Sequence, residues 1–142
     1  MSKKIVIYPI IGVLAIGILF LKYTDYKEKG LDSLFVQYSE DFKSIAFEAY
    51  DNNKSIPDDK AVIDELTEFL SHYQVMKIKH AEWDTAVSRE KGVWIDIQSE
   101  NKLLTILFLE KHVHMPGFGY YKVINGPIDI DWIQSFQEKH RQ

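Results

Sequence analysis

The longest unbroken apolar run in the chain is Ile5 to Leu21, IVIYPIIGVLAIGILFL, which carries no charge, amide or hydroxyl other than that of Tyr8. A helix rises about 1.5 Å per residue, so the run spans roughly 25 Å, near the lower limit for crossing a bilayer. It is apolar on every side, whereas a core helix of a soluble domain keeps a polar stripe. Lys3 and Lys4 precede it, and Lys22, Tyr23 and Tyr26 follow it. Such flanks reach or occupy the headgroup level. The pattern predicts a membrane anchor over residues 1–22.

A cleaved signal peptide is the rival reading of lysines before an apolar run. Its best cleavage site would use Ala15 and Gly17, but the Ile-Leu-Phe-Leu that follows lengthens the run beyond a typical signal peptide. After Leu21 comes Lys-Tyr-Thr-Asp-Tyr, with no small-residue site. The anchor is therefore expected to be retained. Lysines stand on both flanks, so their tally alone does not orient the helix. The short tail bearing Lys3 and Lys4 favours an inside N-terminus and an outside domain.

Beyond the anchor, residues 23–41 read as a juxtamembrane spacer and a short helix. Leu31, Leu34, Phe35 and Tyr38 recur at helical spacing, with only Gly30 separating them from the anchor helix. Residues 42–142 read as one α+β domain. Phe42 to Tyr50 alternates as a strand, and Asp51-Asn52-Asn53-Lys54 is a turn by composition. Ser55-Ile56-Pro57-Asp58 resembles a capping box, with Asp58 and Asp59 suited to the positive end of a helix. Val62, Ile63, Leu66, Phe69, Leu70 and Tyr73 then form one apolar stripe, which predicts a helix covering a sheet.

Four strands are expected after that helix. Residues 75–83 are mixed in pattern. Over Gly92 to Gln98, Val93, Ile95 and Ile97 oppose Trp94, Asp96 and Gln98. LLTILFL, within 102–109, is apolar on both faces and so predicts a central strand. Phe118 to Ile124 follows the Pro116-Gly117 turn signal. Asp131, with Gln134 three residues on, is placed to cap a closing helix that buries Trp132, Ile133 and Phe136. The order is β-α-β-β-β-β-α, with short links that imply an antiparallel sheet and helices packed on one face. In topology this looks like the curved-sheet folds of the TATA-binding-protein or cystatin type.

Charge narrows the partners. From Asp25 onward 14 Lys and Arg face 21 Asp and Glu, a net charge of −7, which repels nucleic acid and anionic headgroups alike and argues against either as the main ligand. Cysteine is absent, which removes disulfides, thiolate metal sites and lipid attachment to a thiol.

Among candidate sites, His112-Val113-His114 is the sharpest. Residues two apart in extended chain share a face, so both imidazoles could reach one metal ion, with Glu110 joining them if the strand runs unbroken. A metal site needs a further ligand, and His72 and His80 stand at no recognisable spacing. Two solvent-facing histidines near a hairpin end are the simpler reading, and no cofactor is expected. Asp51, Asn53 and Ser55 match the start of a calcium loop, but Ile56 and Val62 break the match. Asn53-Lys54-Ser55 is a glycosylation sequon, of consequence only in a eukaryotic source. Asp129 and Asp131 are read as helix caps, and Ser71 beside His72 as helix neighbours that face apart. Trp94, Phe118 and Tyr120 could form an aromatic contact patch beyond the helix-covered face.

The lysine-led anchor, the IPDDKAVIDELTEFLSHY helix and the closing GYYKVINGPIDIDWIQSF segment together resemble small single-pass membrane-anchored proteins of uncharacterised function from Gram-positive bacteria. The resemblance implies a cell-membrane location and supplies no functional residue. With no acid, base and nucleophile grouped in the sequence, the chain reads as a membrane-tethered extracytoplasmic binding or regulatory module. The alternative is a small metal-dependent or hydrolytic enzyme using His112 and His114.

Overall fold

The computed structural model describes residues 4–39, 42–47, 55–57, 60–99 and 103–140. Lys3, the Asp51–Lys54 turn, which holds Asn53 and Lys54 of the sequon and Asp51 and Asn53 of the calcium-loop match, and the pair Asp58 and Asp59 lie outside them. Helix α1 runs over Lys4–Asp25, and every side chain from Tyr8 to Thr24 is exposed. Among the described residues it is the one helix long and apolar enough to cross a membrane. Pro9 falls in its N-terminal part.

The remaining elements are β1 (Lys29–Gly30), α2 (Leu31–Ser39), β2 (Phe42–Phe47), β3 (Ser55–Pro57), α3 (Lys60–Ser71), β4 (Gln74–Ile78), α4 (His80–Ala86), β5 (Gly92–Ser99), β6 (Leu103–Leu109), β7 (His112–Met115), β8 (Gly119–Val123) and α5 (Ile130–His140). The strands form one antiparallel sheet in the order β1-β4-β8-β7-β6-β5-β2-β3, an α+β domain as the pattern predicts. β5 to β8 make a meander of hairpins. β6 lies inside the sheet, as its two-sided apolar sequence requires.

Strand alternation sorts the side chains onto two faces. The inner face carries Val75, Ile95, Ile97, Ile106, Phe108 and Val113, all buried against the predicted helices α2, α3 and α5. α3 lays Val62, Leu66, Phe69 and Leu70 into this core, the stripe read from the sequence. α5 adds Ile130, Ile133 and Phe136. Trp132 is half-buried and stacks on Phe69 with centroids 3.8 Å apart. At the α3–α5 contact Lys139 Nζ donates to both Glu65 oxygens, at 2.8 and 3.0 Å. This ammonium holds the Glu65 carboxyl below the usual carboxylate range, partly offset by burial and aided by His140.

α1 does not flow into α2. After Asp25 the chain turns, and β1 pairs with β4 before α2 begins. Leu31, Leu34 and Phe35 then enter the main core, so the segment placed before the domain is part of it.

Three local expectations fail for identifiable reasons. Ser55-Ile56-Pro57 opens no helix: it pairs as an edge strand with β2, where Pro57 is tolerated, and α3 begins at Lys60. Of the two acids read as caps, Asp129 is the one that caps α5, its Oδ1 accepting from the Trp132 N–H at 2.9 Å, while Asp131 lies inside the helix. The strand expected over 75–83 stops at Ile78, and the chain turns into α4.

Candidate functional site

Among the described residues, α4 creates a second hydrophobic cluster apart from the main core. It packs on the outer face of the sheet, opposite the other helices of the domain, through Trp83. Val87, four residues on, joins Ile78, Leu107, Leu109 and Tyr120 beneath it. The sheet register aligns Ile78, Tyr120, His114, Leu107 and Trp94 across five neighbouring strands. α4 covers the first part of that row and leaves Trp94 36% exposed at its far end. Beyond Trp94, Thr105 Oγ1 donates to Asp96 Oδ1 across β5 and β6 at 2.6 Å, and Leu103 is 66% exposed.

Both histidines of β7 point to this face, as their spacing predicts, and each has a separate role. His114 stacks on Tyr120 with centroids 4.3 Å apart and planes 8° from parallel. Trp83 leans over both rings, at 5.4 and 5.0 Å, and His80 from α4 meets Tyr120 edge-on at 4.9 Å. Burial, with a smaller contribution from His80, lowers the pKa of His114. His112 Nδ1 lies 2.6 Å from Glu90 Oε1, and these side chains are 8% and 10% exposed. The second Glu90 oxygen accepts from the Lys111 N–H at 2.8 Å. Trp83 stands nearly perpendicular to the His112 ring, at 5.9 Å.

Glu110 does not extend the histidine face. β6 ends at Leu109, the chain bends through Glu110 and Lys111, and β7 returns antiparallel, so the unbroken strand that would align Glu110 with the histidines does not form. Glu110 instead borders a cavity of about 330 Å³ with Lys91, Asp129 and Asp131, and its carbonyl accepts from the Ile128 N–H at 2.6 Å. Among the described residues no three His, Cys, Asp or Glu side chains are grouped to hold a metal ion. Ser71 Oγ donates to its own helix at Glu68 O, 2.6 Å away.

No family model, curated protein or solved structure matches the chain. The site must therefore be read from its own geometry. A carboxylate on one imidazole nitrogen fixes the ring's orientation, which can serve chemistry or simply fasten a structure. Here Glu90 joins the α4–β5 loop to the β6–β7 bend through His112 and the Lys111 amide. Trp83 joins α4 itself to β7 and β8. The cluster is a clamp holding a short helix to the sheet.

Of the aromatic trio expected to form a contact patch, Trp94 faces outward on β5, Phe118 sits in the β7–β8 turn, and Tyr120 is half-buried beneath α4. They do not form one patch. Of the residues expected to form an anchor, Lys4 and Ile5 start α1, and Leu21, Lys22 and Tyr23 are exposed near its end. The sequence does not single out Trp83 or Glu90, and it offers His80 only as a further metal ligand at no recognisable spacing. The four-residue spacing of Trp83 and Val87 is a faint helical signal, while Glu90 sits 22 residues from His112 and carries none.

The lowered His114 pKa has a testable sign. His114 has an ordinary value of 6.5 and a lower one when folded, so the unfolded chain binds its proton first. The stability this neutral ring contributes is full above about pH 6.5 and falls as pH drops toward the folded value. His80 faces it from α4, Tyr120 from β8, and His112 lies on its own strand. Melting temperatures recorded from about pH 8 to about pH 5 should decline less for His114→Phe, which keeps the stacking ring, than for the parent. Parallel declines would remove His114 as the responsible group.

Proposed function

We propose that the chain is a single-pass protein of a bacterial cell membrane whose acidic domain stands outside and binds, or regulates, a protein or cell-envelope partner. The observation that carries the reading is α1. From Tyr8 onward its apolar surface is exposed, yet its last residue, Asp25, is tied to the folded domain through Lys77, 2.6 Å away. Such a helix needs lipid around it. The resemblance to Gram-positive single-pass proteins supports the bacterial setting. The uncovered part of the outer sheet face, with Trp94 and Leu103, is the surface offered to the partner. The negative charge of the domain counts against nucleic acid.

The test is Trp94→Asp in the full chain, crosslinked in its native membrane. Trp94 lies outside the main core, so the variant should melt as the parent does while losing the parent's crosslinked partner. A partner retained at parental yield would move the binding surface elsewhere. The alternative, a small hydrolytic or metal-dependent enzyme using His112 and His114, draws support from the buried His112–Glu90 pair. It lacks a third ligand among the described residues.

A further inference from the structure

We infer that the β7–β8 turn, Met115-Pro116-Gly117-Phe118, is a second membrane contact that seats in the headgroup layer beside α1. This rests on the reading of α1 as a membrane anchor. Gly30 pairs with Gln74 and Lys29 with Val75, so the chain preceding Lys29 heads toward the Ile78 end of β4. Asp25 is found there, its carboxylate 2.6 Å from Lys77 Nζ. That contact keeps the Lys77 ammonium above the usual lysine range, against the cost of its partial burial.

β8 lies alongside, with Lys77 opposite Tyr121 and Ile78 opposite Tyr120. A Cβ on Gly119 would stand 2.8 Å from Lys77 Cε, so the start of β8 touches the side chain that holds the end of α1. Leu21 and Lys22 share a groove of about 550 Å³ with Leu34 and Tyr121. The last apolar turn of the anchor and the first residues of β8 are therefore neighbours, and the β7–β8 turn projects from the same end.

What this end displays suits a membrane interface. Phe118 is 37% exposed on a turn shaped by Pro116 and by Gly117 at φ 85°, closed by the Phe118 N–H donating to Met115 O at 2.9 Å. Tyr23 and Tyr26 are exposed at the end of α1. Aromatic rings concentrate at the headgroup level. The domain is acidic as a whole, yet Lys22, Lys27 and Lys79 are exposed here and outnumber the exposed Glu28 of the same segment, with Asp25 already paired to Lys77. That local positive charge complements anionic headgroups.

The absence of cysteine allows single nitroxide labels to be placed without background. Full-length Phe118→Cys, Lys79→Cys, Tyr23→Cys, Leu14→Cys and Lys111→Cys are labelled and reconstituted in vesicles of phosphatidylcholine and phosphatidylglycerol. Collisions with oxygen, which enriches in lipid, are compared with those of a water-soluble nickel chelate. Leu14 should report hydrocarbon, and Lys111, at the opposite end of β7, should report water. Phe118 should favour oxygen as Tyr23 does, and Lys79, exposed at the same end, should meet the chelate less often than Lys111. Labels at 118 and 79 as chelate-accessible as 111, with Leu14 in hydrocarbon, would overturn the inference and leave the anchor standing. A chelate-accessible Leu14 would remove the anchor reading and this contact with it.

Discussion

Leu66→Asp should leave the domain unfolded. Leu66 is fully buried at the centre of the α3 stripe, among side chains of the main core. A carboxylate there has two outcomes, both costly. It stays ionised without a partner, or it takes up a proton and still occupies an apolar site with polar atoms. Either costs several kcal/mol, against a total stability of about 5–15 kcal/mol for a domain of this size. The detergent-solubilised variant should show no cooperative melting by circular dichroism. Parental melting would mean that α3 does not bury this face.

The second large effect concerns where the domain begins. A chain starting at Lys29 should fold without the anchor, and one starting at Phe42 should not. The shorter chain lacks β1, which covers part of the β4 edge, and the buried side chains of Leu31, Leu34 and Phe35. Burying a side chain of this kind contributes roughly 1.5–3 kcal/mol, so three together rival the stability of the whole domain. Hydrogen exchange on the two chains would decide. Protection of β5 and β6 amides in both would show that α2 is an accessory rather than part of the core.

Much of this fold is written in the hydrophobic pattern. The α3 stripe, the alternation through β5, the two-sided β6 and the Pro116-Gly117 turn each read correctly because one element's sequence repeats the same geometric demand several times. Where the signal is short, it loses to tertiary context. α4 makes its contact through Trp83, with Val87 just beyond its end, and that is too little to outweigh the strand-like approach from Val75 to Ile78. β7 is four residues long, and the Glu110-Lys111 bend before it has none of the usual turn residues, so the histidine pair looked like an extension of β6. Ser55 and Pro57 satisfy a local capping rule, but pairing with β2 decides their conformation. The outer-face cluster was half legible. The shared face of His112 and His114 follows from strand periodicity, whereas Glu90, Trp83 and His80 arrive through chain reversals that no local spacing encodes.

The central claim is that a retained helix holds this domain outside the cell membrane. The most direct measurement expresses the full chain in a Gram-positive host and combines alkaline carbonate extraction with protease treatment of intact cells. The chain should stay in the membrane pellet with its original N-terminus, and external protease should degrade the domain. Release into the medium with an N-terminus at Ile18 or later would show that the apolar run is removed. A membrane-bound domain protected until the cells are broken would place it on the inner side.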